Sequence, residues 1–157
     1  MKHTISILVE NKFGVLARVA GLFSARGYNI DSLTVSETLD STISRMTVVV
    51  NAEDEKILEQ IKKQFNKLID VITVIDYTKK EYIERELIFV KIAVNKKDLG
   101  RLKKLIVRYK AQIIAAQDDS CIVELVADQG HLANFLGELK DFKVVELVKS
   151  GRIAIAK

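Results

Sequence analysis

The sequence predicts an α+β chain of two modules in tandem, each with the order βαββαβ. Short β-branched runs alternate with stretches of helical apolar spacing. Glycines and polar turns punctuate them, and the same order recurs after a charged break near residue 80. A chain of 157 residues holds two small modules, each marginal alone, which favours oligomerisation.

Thr4 to Val9 is short and β-branched, hence a strand. Asn11-Lys12-Phe13-Gly14 is a turn signal. Val15, Leu16, Val19, Ala20 and Phe23 then recur at helical spacing, with Arg18 and Arg26 on the other face and Gly27 as the stop. Tyr28 to Ser36 and Arg45 to Val50 are strands around the polar stretch Leu39-Asp40-Ser41-Thr42. A second helix spans about Asp54 to Lys67, with Ile57, Leu58, Ile61, Phe65 and Leu68 inward. Its early acids (Glu53, Asp54, Glu55) and late lysines complement the helix dipole. Val71 to Tyr77 closes this ferredoxin-like module.

Residues 1–78 are therefore the first domain, the charged stretch 79–86 a linker, and 87–157 the second domain. There, Leu87 to Val94 is a strand, and Leu99 to Tyr109 a helix with Leu99, Leu102, Leu105 and Ile106 inward. Gln112 to Ala116 and Cys121 to Val126 are strands. Leu132, Phe135, Leu136 and Leu139 mark the fourth helix, Lys143 to Val148 the last strand, and Gly151 to Ala156 a short apolar tail.

Composition narrows the functional classes. Hydrophobic residues make up 48%, which argues against disorder, and no apolar run approaches the roughly 20 residues that span a bilayer. The sequence enters a strand pattern directly after Met1, leaving no room for a signal peptide. The single Cys121 suits a reducing cytoplasm. A charge of +4 permits an anionic partner without demanding one. No nucleophile elbow, Walker loop or metal-ligand spacing occurs, and His3 and His131 are expected to be structural or surface residues. Lys97, Arg101, Lys104 and Arg108 form a basic stripe, read as a solvated face or a dock for an acidic surface.

The feature that points to function lies between the first strand and the first helix. Gly14 lets backbone approach a ligand, and the Val15 and Leu16 amides open the helix at its positive end without intrahelical partners. Asn11 and Asn29 could converge there, each able to donate and accept, as a zwitterion requires, with Leu16 and Ile30 beside an aliphatic side chain. Equally, Asn before a helix is commonly a cap and glycine in a turn only a turn.

Asn11-Lys12-Phe13-Gly14-Val15-Leu16-Ala17-Arg18-Val19, with Arg26-Gly27-Tyr28-Asn29-Ile30-Asp31-Ser32-Leu33-Thr34-Val35, resembles an ACT domain. More narrowly, it is similar to the small, regulatory subunit of acetohydroxyacid synthase (acetolactate synthase). Ser44-Arg45-Met46-Thr47, Glu59 to Gln64, Glu84-Arg85-Glu86-Leu87 and Lys149 to Ala154 extend the likeness along nearly the whole chain.

The resemblance implies a non-catalytic chain that activates a catalytic large subunit in valine, leucine and isoleucine biosynthesis. It implies feedback inhibition by a branched-chain amino acid, usually valine. Thiamine diphosphate, magnesium and FAD belong to that partner, with no cofactor or metal in this chain. ACT modules of the family pair as a homodimer and hold the effector at the interface, which assigns effector binding to Asn11, Gly14, Val15, Leu16, Asn29 and Ile30. Where the family usually has proline before the loop glycine, this chain has Phe13, so φ is not fixed there.

Two other classes stand beside this one. RNA-recognition domains share the βαββαβ order but stack bases on aromatics of the first and third strands, where this chain has none. A free-standing amino-acid sensor with another partner is the second alternative.

Overall fold

The computed structural model describes residues 2–51, 55–95 and 97–157, excepting the side chains of 55–57. The acids Glu53 and Asp54, the Glu55 side chain and the inward placement expected of Ile57 lie outside the described residues. The chain divides into two compact units: Met1–Ile83 with Arg152–Lys157, and Glu84–Gly151.

The first unit runs β1 (Lys2–Glu10), α1 (Val15–Ser24), β2 (Ile30–Glu37), β3 (Ile43–Asn51), α2 (Glu55–Phe65) and β4 (Val71–Asp76). Its antiparallel sheet has the order β2-β3-β1-β4, so β2 and β4 are edges. Alternation along β1 and β3 sends Ile5, Ile7, Val9, Met46, Val48 and Val50 to one face. There they meet Val15, Val19 and Phe23 of α1 and Leu58, Ile61 and Phe65 of α2. Phe23 and Phe65 join the two helices edge to face, with centroids 5.3 Å apart.

On the opposite face Thr4, Ser6, Thr47 and Val49 are also buried, and three of the four are polar. Thr4 is met there by the far end of the sequence, through the Arg152 guanidinium at 2.7 Å. The tail is a strand, β9 (Ile153–Ala156), and it belongs to the first unit. The Tyr77 hydroxyl donates to the Ala154 carbonyl at 3.4 Å, and the Lys157 amide to that of Glu81 at 3.2 Å. The expected domain 87–157 therefore loses its last six residues (152–157) to the N-terminal unit. Ile153-Ala154-Ile155 is too short to specify locally which sheet it joins.

The second unit runs β5 (Tyr82–Ala93), α3 (Leu99–Tyr109), β6 (Gln112–Ala116), β7 (Ser120–Ala127), α4 (Gln129–Glu138), a single tight turn over Leu139–Asp141, and β8 (Lys143–Lys149). Its order is β6-β7-β5-β8, and β9 pairs β5. The expected linker 79–86 is thus half strand. Tyr82 stacks on Tyr77 at 4.9 Å and starts β5 five residues before Leu87, since period-2 exposure persists through its charged residues. The core gathers Ile88, Val90, Ile92, Val123 and Leu125 beneath Leu102, Leu105, Leu132, Phe135 and Leu139. Leu99, expected inward, is exposed in the first turn of α3.

His3 is buried and His131 lies at the surface, as a structural or surface role requires. His3 Nδ1 lies 3.1 Å from the Thr78 hydroxyl, and His131 Nε2 lies 3.4 Å from the Tyr109 carbonyl. The basic stripe is partly neutralised within its own unit. Arg101 pairs with Asp141 at 3.1 Å and Arg108 with Glu138 at 2.8 Å. Cys121 is buried, and desolvation pushes its thiol above the ordinary range, so it behaves as a packed residue.

Candidate functional site

Gly14 is the N-cap of α1 and takes φ 79°, a left-handed conformation in which a side chain is strained. A cap without a side chain leaves the helix donors open. No side-chain bond caps α1, and the Leu16 and Ala17 amides have no acceptor among the described residues. Val15 departs from expectation: its amide reaches back to the Lys12 carbonyl at 3.4 Å, a long bond. Its side chain is buried, so only its backbone faces the loop.

Asn11 is not a helix cap. Its amide donates to the Thr42 carbonyl at 2.7 Å, and its side-chain nitrogen to the Ser41 carbonyl at 2.8 Å. Asn11 therefore ties the α1 loop to the β2–β3 turn. That turn is itself braced by Asp40, whose carboxylate accepts from the Thr42 hydroxyl at 2.6 Å and amide at 2.9 Å. These bonds hold the Asp40 carboxyl below its usual range. Phe13 is fully exposed, and a hollow of about 420 Å³ is lined by Asn11, Lys12 and Phe13.

A cation that the sequence pattern placed on the outer face belongs to this loop. Arg18 Nη1 lies 3.2 Å from where a Cβ on Gly14 would stand, and its guanidinium grips Asp70 at 2.7 and 2.9 Å. The signal was present in the spacing. Helical side chains lean toward the N-terminus, so an arginine four residues after the cap reaches back over it. Free amides and a guanidinium at one helix start make a carboxylate-sized cradle.

Asn29 and Ile30 lie elsewhere. The ladders align Ile30 with Val50 and Val50 with His3, whereas Asn11 follows Glu10 at the opposite end of β1. Seven residues of strand separate those ends, about 23 Å at 3.3 Å per residue. The expected convergence of Asn11 and Asn29 does not occur within one chain. The Asn29 side chain sits 3.5 Å from Asp31, and Ile30 packs on the core, which leaves half-exposed Leu16 and exposed Phe13 as the apolar groups at the loop.

Comparison with known proteins matches two family models along the chain. Residues 5–73 match the AHAS small subunit-like ACT domain, and residues 85–157 the small subunit of acetolactate synthase. A protein of Archaeoglobus fulgidus described as a probable acetolactate synthase small subunit is 42% identical, covering 100% of this chain and 98% of its own. The acetolactate synthase isozyme 3 small subunit of Escherichia coli is 41% identical over 100% of this chain and 96% of its own. The crystal structure of the small subunit from Thermotoga maritima superposes with a TM-score of 0.89 at 31% identity, covering 100% of this chain and 98% of that one. This chain belongs to the acetolactate synthase small-subunit family, with an ACT domain at its N-terminus.

Proposed function

We propose that this chain is a non-catalytic regulator of a thiamine-diphosphate-dependent catalytic large subunit in branched-chain amino-acid biosynthesis. It raises that subunit's activity and, on binding a branched-chain amino acid, most naturally valine, restrains it. The observation that carries the reading is the uncapped start of α1 behind Gly14, with Arg18 alongside. The carboxylate of a free amino acid seats on the Leu16 and Ala17 amides, and its apolar side chain on Leu16. The family match over residues 85–157 favours this assignment over a free-standing sensor.

The ammonium-binding half comes from a second copy. Edge strand β2 has a neighbour on one side only. Two copies paired antiparallel along β2 about a two-fold axis bring the start of one β2 to the end of the other. Glu37, at the end of β2, aligns with Ser44, and Glu10, just before the loop, aligns with Ile43. The partner's Asn29 and Ile30 then lie at the loop end of the sheet. Effector bound across this seam favours one arrangement of the pair, and a coupling of about 1–3 kcal/mol suffices for regulation.

A mixing experiment tests the shared site. Gly14→Asp and Asn29→Ala homodimers each lose effector binding. Mixed dimers recover one intact site, so calorimetry on the equilibrated mixture should show about a quarter of the wild-type sites. No recovery in a mixture proven to exchange subunits would contradict a site shared between chains.

A further inference from the structure

We infer that Arg152, at the root of the C-terminal strand, is a positioning residue for the effector site, fixing the start of β2 from the opposite face of the sheet. The inference rests on the effector reading above. Arg152 is 8% exposed, deep for a guanidinium. Its Nη1 donates to the Thr4 hydroxyl on β1 at 2.7 Å, and its backbone amide donates to the Ser32 hydroxyl on β2 at 3.1 Å. One residue thus spans from an inner strand of the sheet to its edge strand.

The edge is where such a tie has leverage. The β2–β3 register shifts between Ile30 and Ser32, and a bulge there loosens the ladder at the residues that carry Asn29 and Ile30. The Lys2–Asp31 pair, 3.3 Å apart, is largely exposed on its lysine and holds weakly. The part-buried bond to Ser32 is the firmer constraint. Gly151, at φ 83°, makes the left-handed turn that delivers Arg152 to this face, and a side chain there would be strained. The chain just before it is fixed as well, because the Ser150 amide donates to the Leu87 carbonyl at 2.9 Å. The strap is therefore continuous in sequence with β8.

Linkage makes the effect reciprocal. If the strap orders β2 for the effector, the effector must order the strap. The test is valine, leucine and isoleucine calorimetry on the full-length wild type, Arg152→Ala, Arg152→Lys, Ser32→Ala, the Arg152→Ala/Ser32→Ala double variant and Tyr77→Phe. Arg152→Ala and Ser32→Ala should each weaken binding roughly 2- to 10-fold, as expected for one hydrogen bond. The double variant should be no weaker than the worse single one, because both act through one link. Arg152→Lys should recover part of the loss. Tyr77→Phe removes only the bond to Ala154 further along the strap and should leave affinity within about twofold. Effector should also slow hydrogen exchange over residues 152–156 of the wild type.

Unchanged affinity in Ser32→Ala, or additive losses in the double variant, would overturn the inference while leaving the effector site standing. Ser32→Ala decides the matter even if Arg152→Ala does not fold. A wild type that binds none of the three amino acids removes both the effector reading and the role of Arg152.

Discussion

Gly14→Asp is expected to abolish effector binding while leaving the chain folded. Aspartate tolerates the left-handed backbone better than most residues, and its Cβ would stand 3.2 Å from Arg18 Nη1. The new carboxylate therefore takes the guanidinium and the free amides of α1, the groups proposed for the ligand's own carboxylate. Like charges brought into contact cost several kcal/mol, so affinity should fall by roughly 100-fold or more. Calorimetry with valine, and circular dichroism to establish the fold, provide the check. Unchanged binding would remove Gly14 from the site.

The largest expected loss of stability is at the joint between the two helices of the first unit. Phe65 is fully buried and meets Phe23 edge to face between α1 and α2. Phe65→Ala removes a ring from a close-packed core and should cost about 3–5 kcal/mol by transfer and cavity effects together. Urea unfolding of wild type and variant measures it. A loss below about 1 kcal/mol would mean that the site relaxes in a way this packing does not suggest.

These two positions mark what was legible in the sequence. Phe65 and Phe23 fall on helical spacing, and a stripe of that period buries itself whatever lies opposite, so the core of the first unit follows from the pattern. The bounds of α3, Leu99–Tyr109, emerge for the same reason. Gly14 was legible as the turn residue before α1, because glycine takes a left-handed backbone without strain.

What escaped is what depends on distant partners. Arg18 reads as a surface charge until Asp70, 52 residues away, is folded beside it. The burial of Thr4 looks wrong for a half-buried strand until Arg152 reaches it, and no local pattern announces a partner arriving 148 residues later. The start of β5 hides among charges because a charged strand end and a linker share one composition. The separation of Asn11 from Asn29 is topological. In the order β2-β3-β1-β4, the start of β2 lies at the opposite end of the sheet from the end of β1.

That separation carries the proposed function, in which each chain holds half of an amino-acid site and completes it along an edge strand. The most direct test is the activity of the catalytic subunit, with its cofactors, assayed with and without this chain across valine, leucine and isoleucine. The account predicts that the chain alone forms no acetolactate, that its addition raises the catalytic subunit's rate, and that at least one of the three amino acids reverses the increase in the wild type but not in Gly14→Asp. Turnover by the chain alone, or a rate indifferent to its addition, would contradict it.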